Sequence, residues 1–230
     1  TRLKVRSLVG LLPLCATTII TSSQRERVPA VARALAMRFA HIPELQAGIH
    51  PTGSEHMNAD GRTIAAVVGP GRLRRILSSM HDEEEFLGPH GIRSVSRWHE
   101  LHPYVVTAGG KEYRVSYQPA ESDSAMFGGN SNWRGPVWFP MNALLIRALH
   151  QFHAYYGNDF RVECPTGSGR LMNLLEVAKE ISDRLQRIFL RDEHGRDGRL
   201  ERAARDLEHH RPQRHARLLG RRAVPEDGLE

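Results

Sequence analysis

Several stretches of this chain carry apolar residues three and four apart, and that helical spacing is the strongest constraint on what it can fold into. After Gly69-Pro70, a proline set to open a helix, Leu73, Ile76, Leu77 and Met80 recur up to the acidic run Asp82 to Glu85. From Pro140, the residues Met141, Leu144, Leu145, Ala148 and Phe152 predict one buried face. Asn173 and Glu176 have capping-box spacing, and Val177, Ala178, Ile181, Leu185 and Ile188 carry another helix behind them. Near the start, Leu3, Leu8, Leu11, Leu12 and Leu14 predict a buried first helix; Val28, Val31, Leu35 and Phe39 predict a second, behind Ser22-Ser23-Gln24. His41 to Asp60 has no clear period and reads as a loop, and Asp82 to Glu85 as a solvated helix end. One segment departs from the pattern. Tyr104 to Thr107 and Glu112 to Tyr117 are rich in β-formers and flank Gly109-Gly110, the mark of a hairpin. A lone hairpin is marginal in water, so it should lie against the helical body. The fold class that follows is mainly α with one small β insertion.

With 230 residues and 40% hydrophobic content, residues 1–190 can bury the core of one globular domain. Beyond Leu190 aromatics vanish and Arg, His, Gly and Pro take over, so residues 191–230 read as a poorly packed, atypical tail. The net charge of +6 raises the question of nucleic acid, but the 26 acids are interleaved with the arginines, and no nucleic-acid partner is expected. A basic adaptor that holds a polyanion through the tail is the weaker reading of that charge. The two cysteines, Cys15 and Cys164, share no metal-like spacing, which fits a reducing, cytoplasmic setting. Arg2, Lys4 and Arg6 before Leu8 to Ile20 imitate a signal peptide, but Pro13 interrupts the run and no small-x-small site follows. The run is also too short for a bilayer, so no membrane partner is expected. A chain that begins at Thr1, in what reads as an amphipathic helix, looks like a piece of something longer.

Three motifs fail on spacing or context. His99-Glu100-Leu101-His102 sets its histidines three apart where a zincin helix needs four. Thr166-Gly167-Ser168-Gly169-Arg170 lacks the Lys-Ser/Thr ending of a phosphate loop, and no convincing strand precedes it. No Gly-x-Ser-x-Gly elbow occurs. Cys164 reads as a buried small residue, and His209, His210 and His215 as surface histidines of the tail.

The segment Gly128 to Asn142 is different. Gly128-Gly129-Asn130-Ser131-Asn132-Trp133-Arg134-Gly135-Pro136-Val137-Trp138-Phe139-Pro140-Met141-Asn142 puts two of the chain's three Trp beside an Arg and three Asn on a Gly/Pro frame. Indole faces suit the apolar faces of a pyranose, while Arg and Asn suit its hydroxyls. Trp133 and Trp138 are the candidate platforms, Arg134 the clamp, and Asn130 and Asn132 the neighbouring hydroxyl partners. Asp123 would bind a hydroxyl or orient Arg134, or simply form a turn beside Ser122 and Ser124. Glu121 and Glu163 read as ion-pair partners.

These residues, with Tyr113 to Tyr117, His153 to Gly157 and Glu163-Cys164-Pro165-Thr166-Gly167-Ser168-Gly169-Arg170, give a chain that resembles the C-terminal part of bacterial glucosidases of glycoside hydrolase family 63 and the related mannosylglycerate hydrolase-like proteins. Trp-Arg-Gly-Pro-x-Trp is the most specific element, and the resemblance is strongest from Trp98 to Leu190. It implies an (α/α)6 toroid with sugar bound at one end. It also implies inverting hydrolysis of α-linked, glucose-containing oligosaccharides, with one acid protonating the leaving oxygen and a carboxylate roughly 6.5–9.5 Å away activating water. No cofactor is implied. A toroid needs twelve helices and periodicity yields about six. The resemblance implies that the catalytic acid lies upstream of the matching segment and the base downstream, so neither is assigned to a numbered residue. The chain is therefore expected to be a fragment that is inactive alone, or a remnant that binds sugar without turnover, with the rest of its catalytic domain as a further partner.

Overall fold

The structure, a computed structural model, describes residues 4–41, 61–118 and 136–190. The chain divides into Thr1–Gln186 and Arg187–Glu230. Every element named below belongs to the first; of the second only residues 187–190, a run of turns, are described. The tail 191–230 lies outside the described residues.

The chain opens on a 3-10 helix, Leu8–Cys15, rather than the α-helix its leucines predict. Pro13 lies inside it and has no amide to donate, which disfavours a continuous α-helical ladder. β1 (Thr17–Ile20) follows, then α1 (Ser22–Arg27), started by a complete capping box between Thr21 and Gln24. α2 (Pro29–Ala40) begins at a proline, which separates it from α1. β2 (Thr63–Ala66) pairs antiparallel with β1, Thr17 against Ala66 and Ile20 against Thr63. The loop expected at residues 41–60 lies almost wholly outside the described residues.

α3 (Pro70–Met80) follows the predicted period: Leu73, Leu77 and Met80 are fully buried, and arginines occupy its outer side. Two short strands come next, β3 (Leu87–Gly88) and β4 (Gly91–Ile92), then a 3-10 turn, Arg97–Glu100. The predicted hairpin is β5 (Tyr104–Ala108) and β6 (Lys111–Val115), with Val106 opposite Tyr113. Gly109 and Gly110 both have positive φ, 57° and 74°, as a two-residue primed turn demands.

α4 (Phe139–Tyr156) is the long central helix. Its buried face is Asn142, Leu145, Ala148, Leu149 and Phe152; Leu144, assigned to that face from sequence, is exposed. β7 (Arg161–Glu163) and β8 (Leu171–Asn173) form a hairpin that leads into α5 (Leu174–Gln186). The expected capping box is present: Asn173 Oδ1 accepts from the Leu175 and Glu176 amides, and Glu176 accepts from the Asn173 amide at 2.7 Å. α4 packs on α5, β1, β2 and the first 3-10 helix, and this is where the core sits.

The result is helix-rich, but the expectation of a single β insertion needs correction. Four antiparallel two-stranded pairs occur among the described residues. The two shortest escaped notice because strands of two and three residues are below the length at which alternation has a signal. A strand does precede the Thr166–Arg170 loop, contrary to expectation. The loop returns into a second strand instead of a helix, so it is a hairpin connection and not a phosphate loop. Among the described residues no helix is long and apolar enough to cross a membrane.

Candidate functional site

Trp138 is the one predicted site residue whose surroundings the structure describes. Asp123, Asn130, Asn132, Trp133 and Arg134 lie outside the described residues. Trp138 is half-buried at the position just before α4, with extended backbone (φ −82°, ψ 94°). Pro140, near the helix start, lacks an amide where no intrahelical acceptor exists, so the helix begins without a penalty.

Asn142 holds this entrance in place. Its side chain is fully buried one turn into α4, and each polar atom is used. Oδ1 accepts the Ile92 amide at 2.7 Å, while Nδ2 donates to the Ile92 carbonyl at 3.0 Å and to the Trp138 carbonyl at 3.0 Å. The Asn142 amide also donates to the Trp138 carbonyl, at 3.1 Å. Two residues on, the Ser94 amide donates to the Pro136 carbonyl at 2.8 Å, and the Ser94 carbonyl accepts the Leu8 amide at 2.9 Å. The rim Pro136–Trp138 is therefore tied to residues 92–94 at two points. Gly91 lets β4 approach α4 and α5: at φ 113°, a Cβ there would stand 2.7 Å from Leu185 and 3.0 Å from Asn142 Oδ1.

Two buried arginines organise the platform beneath. Arg93 Nη1 donates to the carbonyls of Glu83, Glu85 and Leu87, and its guanidinium lies 5.6 Å from the Tyr117 ring. Arg184 of α5 donates to Glu180, to Glu83 and to the Gly88 carbonyl, each at 2.9–3.0 Å. The acidic run is solvent-facing at Glu83 and Glu84, as expected, but its glutamates are also paired. Glu83 pairs with Arg184, Glu84 with Arg97, and Glu85 with Arg6 and Ser96. Arg6 also lies 4.2 Å over the Trp98 ring, which stacks on His102.

His99, from the motif set aside on spacing, is a buried structural histidine. Its Nε2 accepts the Arg6 amide at 2.8 Å, so its Nδ1 carries the proton that it donates to the His102 carbonyl at 2.8 Å. No cluster of metal-ligating side chains occurs among the described residues. Cys164 is buried as expected, and burial pushes its thiol up to about 11, the wrong direction for a nucleophile. Among the described residues Glu163 has no ion-pair partner; its carboxylate accepts from the Gly169 amide, and the Gly167 and Gly169 N–H groups hold its pKa below the ordinary carboxylate value.

Sequence reasoning counted Asn142 with the hydroxyl-binding Asn of its segment, whereas its side chain is spent inside the core on Ile92 and Trp138, and it missed Arg184, which holds the Gly88 carbonyl. A signal for Asn142 existed, because it stands three and seven positions before Leu145 and Leu149, on the face that α4 buries. A polar side chain there must find partners.

Residues 64–201, more than half of the chain, match the family model described as the mannosylglycerate hydrolase MGH1-like glycoside hydrolase domain. Over 197 residues the chain is 45% identical to the uncharacterized protein YMR196W of Saccharomyces cerevisiae, an alignment that covers 84% of this chain and 18% of that one. Over 82 residues it is 32% identical to a probable mannosyl-oligosaccharide glucosidase of Schizosaccharomyces pombe, covering 35% of this chain and 7% of that protein. The chain spans less than a fifth of the length of these curated relatives. No solved structure is significantly similar.

Proposed function

The chain belongs to the mannosylglycerate hydrolase MGH1-like glycoside hydrolase family, and we propose that it forms the sugar-facing wall of an α-glucosidase-type site. In this reading Trp133 and Trp138 are platforms for pyranose faces and Arg134 is a hydroxyl clamp. Asn130 and Asn132 add hydroxyl contacts, and Asp123 binds a hydroxyl or orients Arg134. The substrate is a glucose-containing oligosaccharide, cleaved with inversion in the complete catalytic domain. The observation that carries the reading is the rim at Trp138. The backbone that carries the half-buried Trp138 is held at a helix entrance by the Asn142 and Ser94 contacts, so the point from which the indole projects needs no ordering before a ligand arrives. Titration of the chain with maltose, followed by calorimetry, should give saturable binding that Trp138→Ala abolishes; an unchanged affinity in that variant would count against the assignment.

A second reading, sugar binding without turnover, has its own support. Inverting hydrolysis needs one carboxyl kept protonated by an apolar pocket and one ionised carboxylate beside it. Among the described residues the acids with defined partners are engaged structurally: Glu83, Glu85 and Glu180 in ion pairs, Glu176 in a helix cap. Glu163 is shifted downward, opposite to what a general acid requires. The chain on its own should therefore release no glucose from a panel of α-linked disaccharides. Measurable release would refute this second reading and leave the first intact.

A further inference from the structure

We propose that the cleft between α3 and the β7–β8 hairpin is a second carbohydrate site, which takes a neutral sugar ring between the Arg74 guanidinium and the Glu163 carboxylate. The cleft encloses about 250 Å³. That is the volume of about eight water molecules, the scale of one hexose. It goes beyond the Trp138 reading, since Trp138 stands at the start of α4 and this hairpin follows the helix's far end.

Both polar walls are fixed before any ligand arrives. Arg74 lies 4.1 Å over the Phe160 ring and donates through Nη1 to the Arg161 carbonyl at 2.7 Å, which leaves its other N–H groups to serve the cleft. Glu163 is held from two sides. Its carboxylate accepts from the loop glycines, and its carbonyl accepts from His81 Nδ1 at 3.1 Å. The loop itself is pinned to α3, because the Thr166 hydroxyl donates to the Ser78 carbonyl at 2.7 Å and the Thr166 amide to the His81 carbonyl at 3.0 Å. Val162 and the exposed Leu171 supply an apolar wall.

The charges select the ligand class. The groups that depress Glu163 are glycine N–H groups and not a cation, so the carboxylate is not neutralised by the arginine across the cleft. An anion in the cleft would meet Glu163, and a cation would meet Arg74 and Arg161, which also lines it. A polyhydroxyl ring satisfies both at once: one hydroxyl donates to the carboxylate, another accepts from the guanidinium, and the C–H face rests on Leu171. Such fixed donor and acceptor pairs avoid the ordering cost that weakens most surface contacts.

The test is amide chemical-shift mapping on the whole 230-residue chain with maltose as the probe, and with inorganic phosphate in parallel. Maltose should shift the amides of Ser78, Glu163, Thr166 and Leu171 saturably, and Trp138→Ala should leave those shifts intact. Arg74→Ala, at an exposed helical position, should weaken this site roughly tenfold without loss of fold, and Glu163→Gln should do the same while keeping an acceptor for the loop glycines. Absence of these shifts at saturating maltose would overturn the proposal. So would their loss in Trp138→Ala, indifference to both cleft variants, or a response to phosphate in place of maltose.

Discussion

β3–β4 and β5–β6 are both antiparallel pairs, yet their backbones are satisfied by different means. In β3–β4 each strand has two residues, all four are buried, and the pair is held from outside by Asn142, Arg93 and Arg184. In β5–β6 each strand has five residues, the ladder is complete within the hairpin, and Val115 is the only residue that is buried. The first pair is positioned by side chains 50 and 96 residues away, the second by its own Gly-Gly turn. A pair held by distant buried groups has a fixed place relative to α4 and α5. The Trp138 carbonyl is tied to that pair through Asn142.

The sharpest way to break the contrast is Gly91→Ala. The added Cβ would meet Leu185 at 2.7 Å on a backbone with φ 113°, so it combines overpacking with a conformation alanine resists. A loss on the order of 4 kcal/mol is expected, measured as a lower urea midpoint at unchanged slope. A loss below about 1 kcal/mol would mean that close approach is not what seats the pair. Asn142→Ala comes next, at about 3 kcal/mol, because the Ile92 amide and carbonyl lose their partner inside the core. In this variant the Trp138 indole N–H resonance should also move, since its carbonyl loses the Nδ2 donor.

Acid should attack a different corner, where α3 meets the β7–β8 hairpin. His81, just after α3, is fully buried and donates through Nδ1 to the Glu163 carbonyl, while Nε2 has no partner among the described residues. Burial lowers its pKa from 6.5 to about 4, against a smaller upward pull from that carbonyl. The imidazole is thus neutral in the fold, and between these two values the unfolded chain binds a proton that the folded chain does not. The stability is fully present above pH 6.5 and falls as the pH drops towards 4. The loss reaches at most about 3 kcal/mol. Unfolding midpoints measured from pH 7 to pH 4 should show this slope, and His81→Gln should flatten it. An equal slope in the variant would place the acid sensitivity elsewhere.

What was legible in the sequence follows the same division. α3, α5 and the β5–β6 hairpin announce themselves, because their signals are local: a 3.6-residue period, a capping box at Asn173–Glu176, and glycines where a turn needs positive φ. The first 3-10 helix was misread as α although Pro13 stood in its middle. β3–β4 left no trace, since two-residue strands have no period and Gly91 gains its meaning only from Leu185, far along the chain. At the candidate site, the residue types around Trp138 carry an expectation of sugar chemistry, but the groups that seat its backbone left no such mark. Arg93 and Arg184 look like two more members of an arginine-rich composition until carbonyls from residues 83–88 surround them.

The smallest expected effect tests the other side of the contrast. Tyr113 faces Val106 across the β5–β6 ladder and is 40% exposed, so its ring gains from one cross-strand neighbour and little else. Tyr113→Ala should cost under about 1 kcal/mol, the scale of a single cross-strand pair. The Trp138 indole resonance should stay where it is, because the hydrogen bonds described at the rim come from Asn142 and Ser94. If instead Tyr113→Ala moved that resonance, or cost as much as Asn142→Ala, the hairpin would be a structural support of the sugar wall. The local turn would then share the positioning role of the buried side chains.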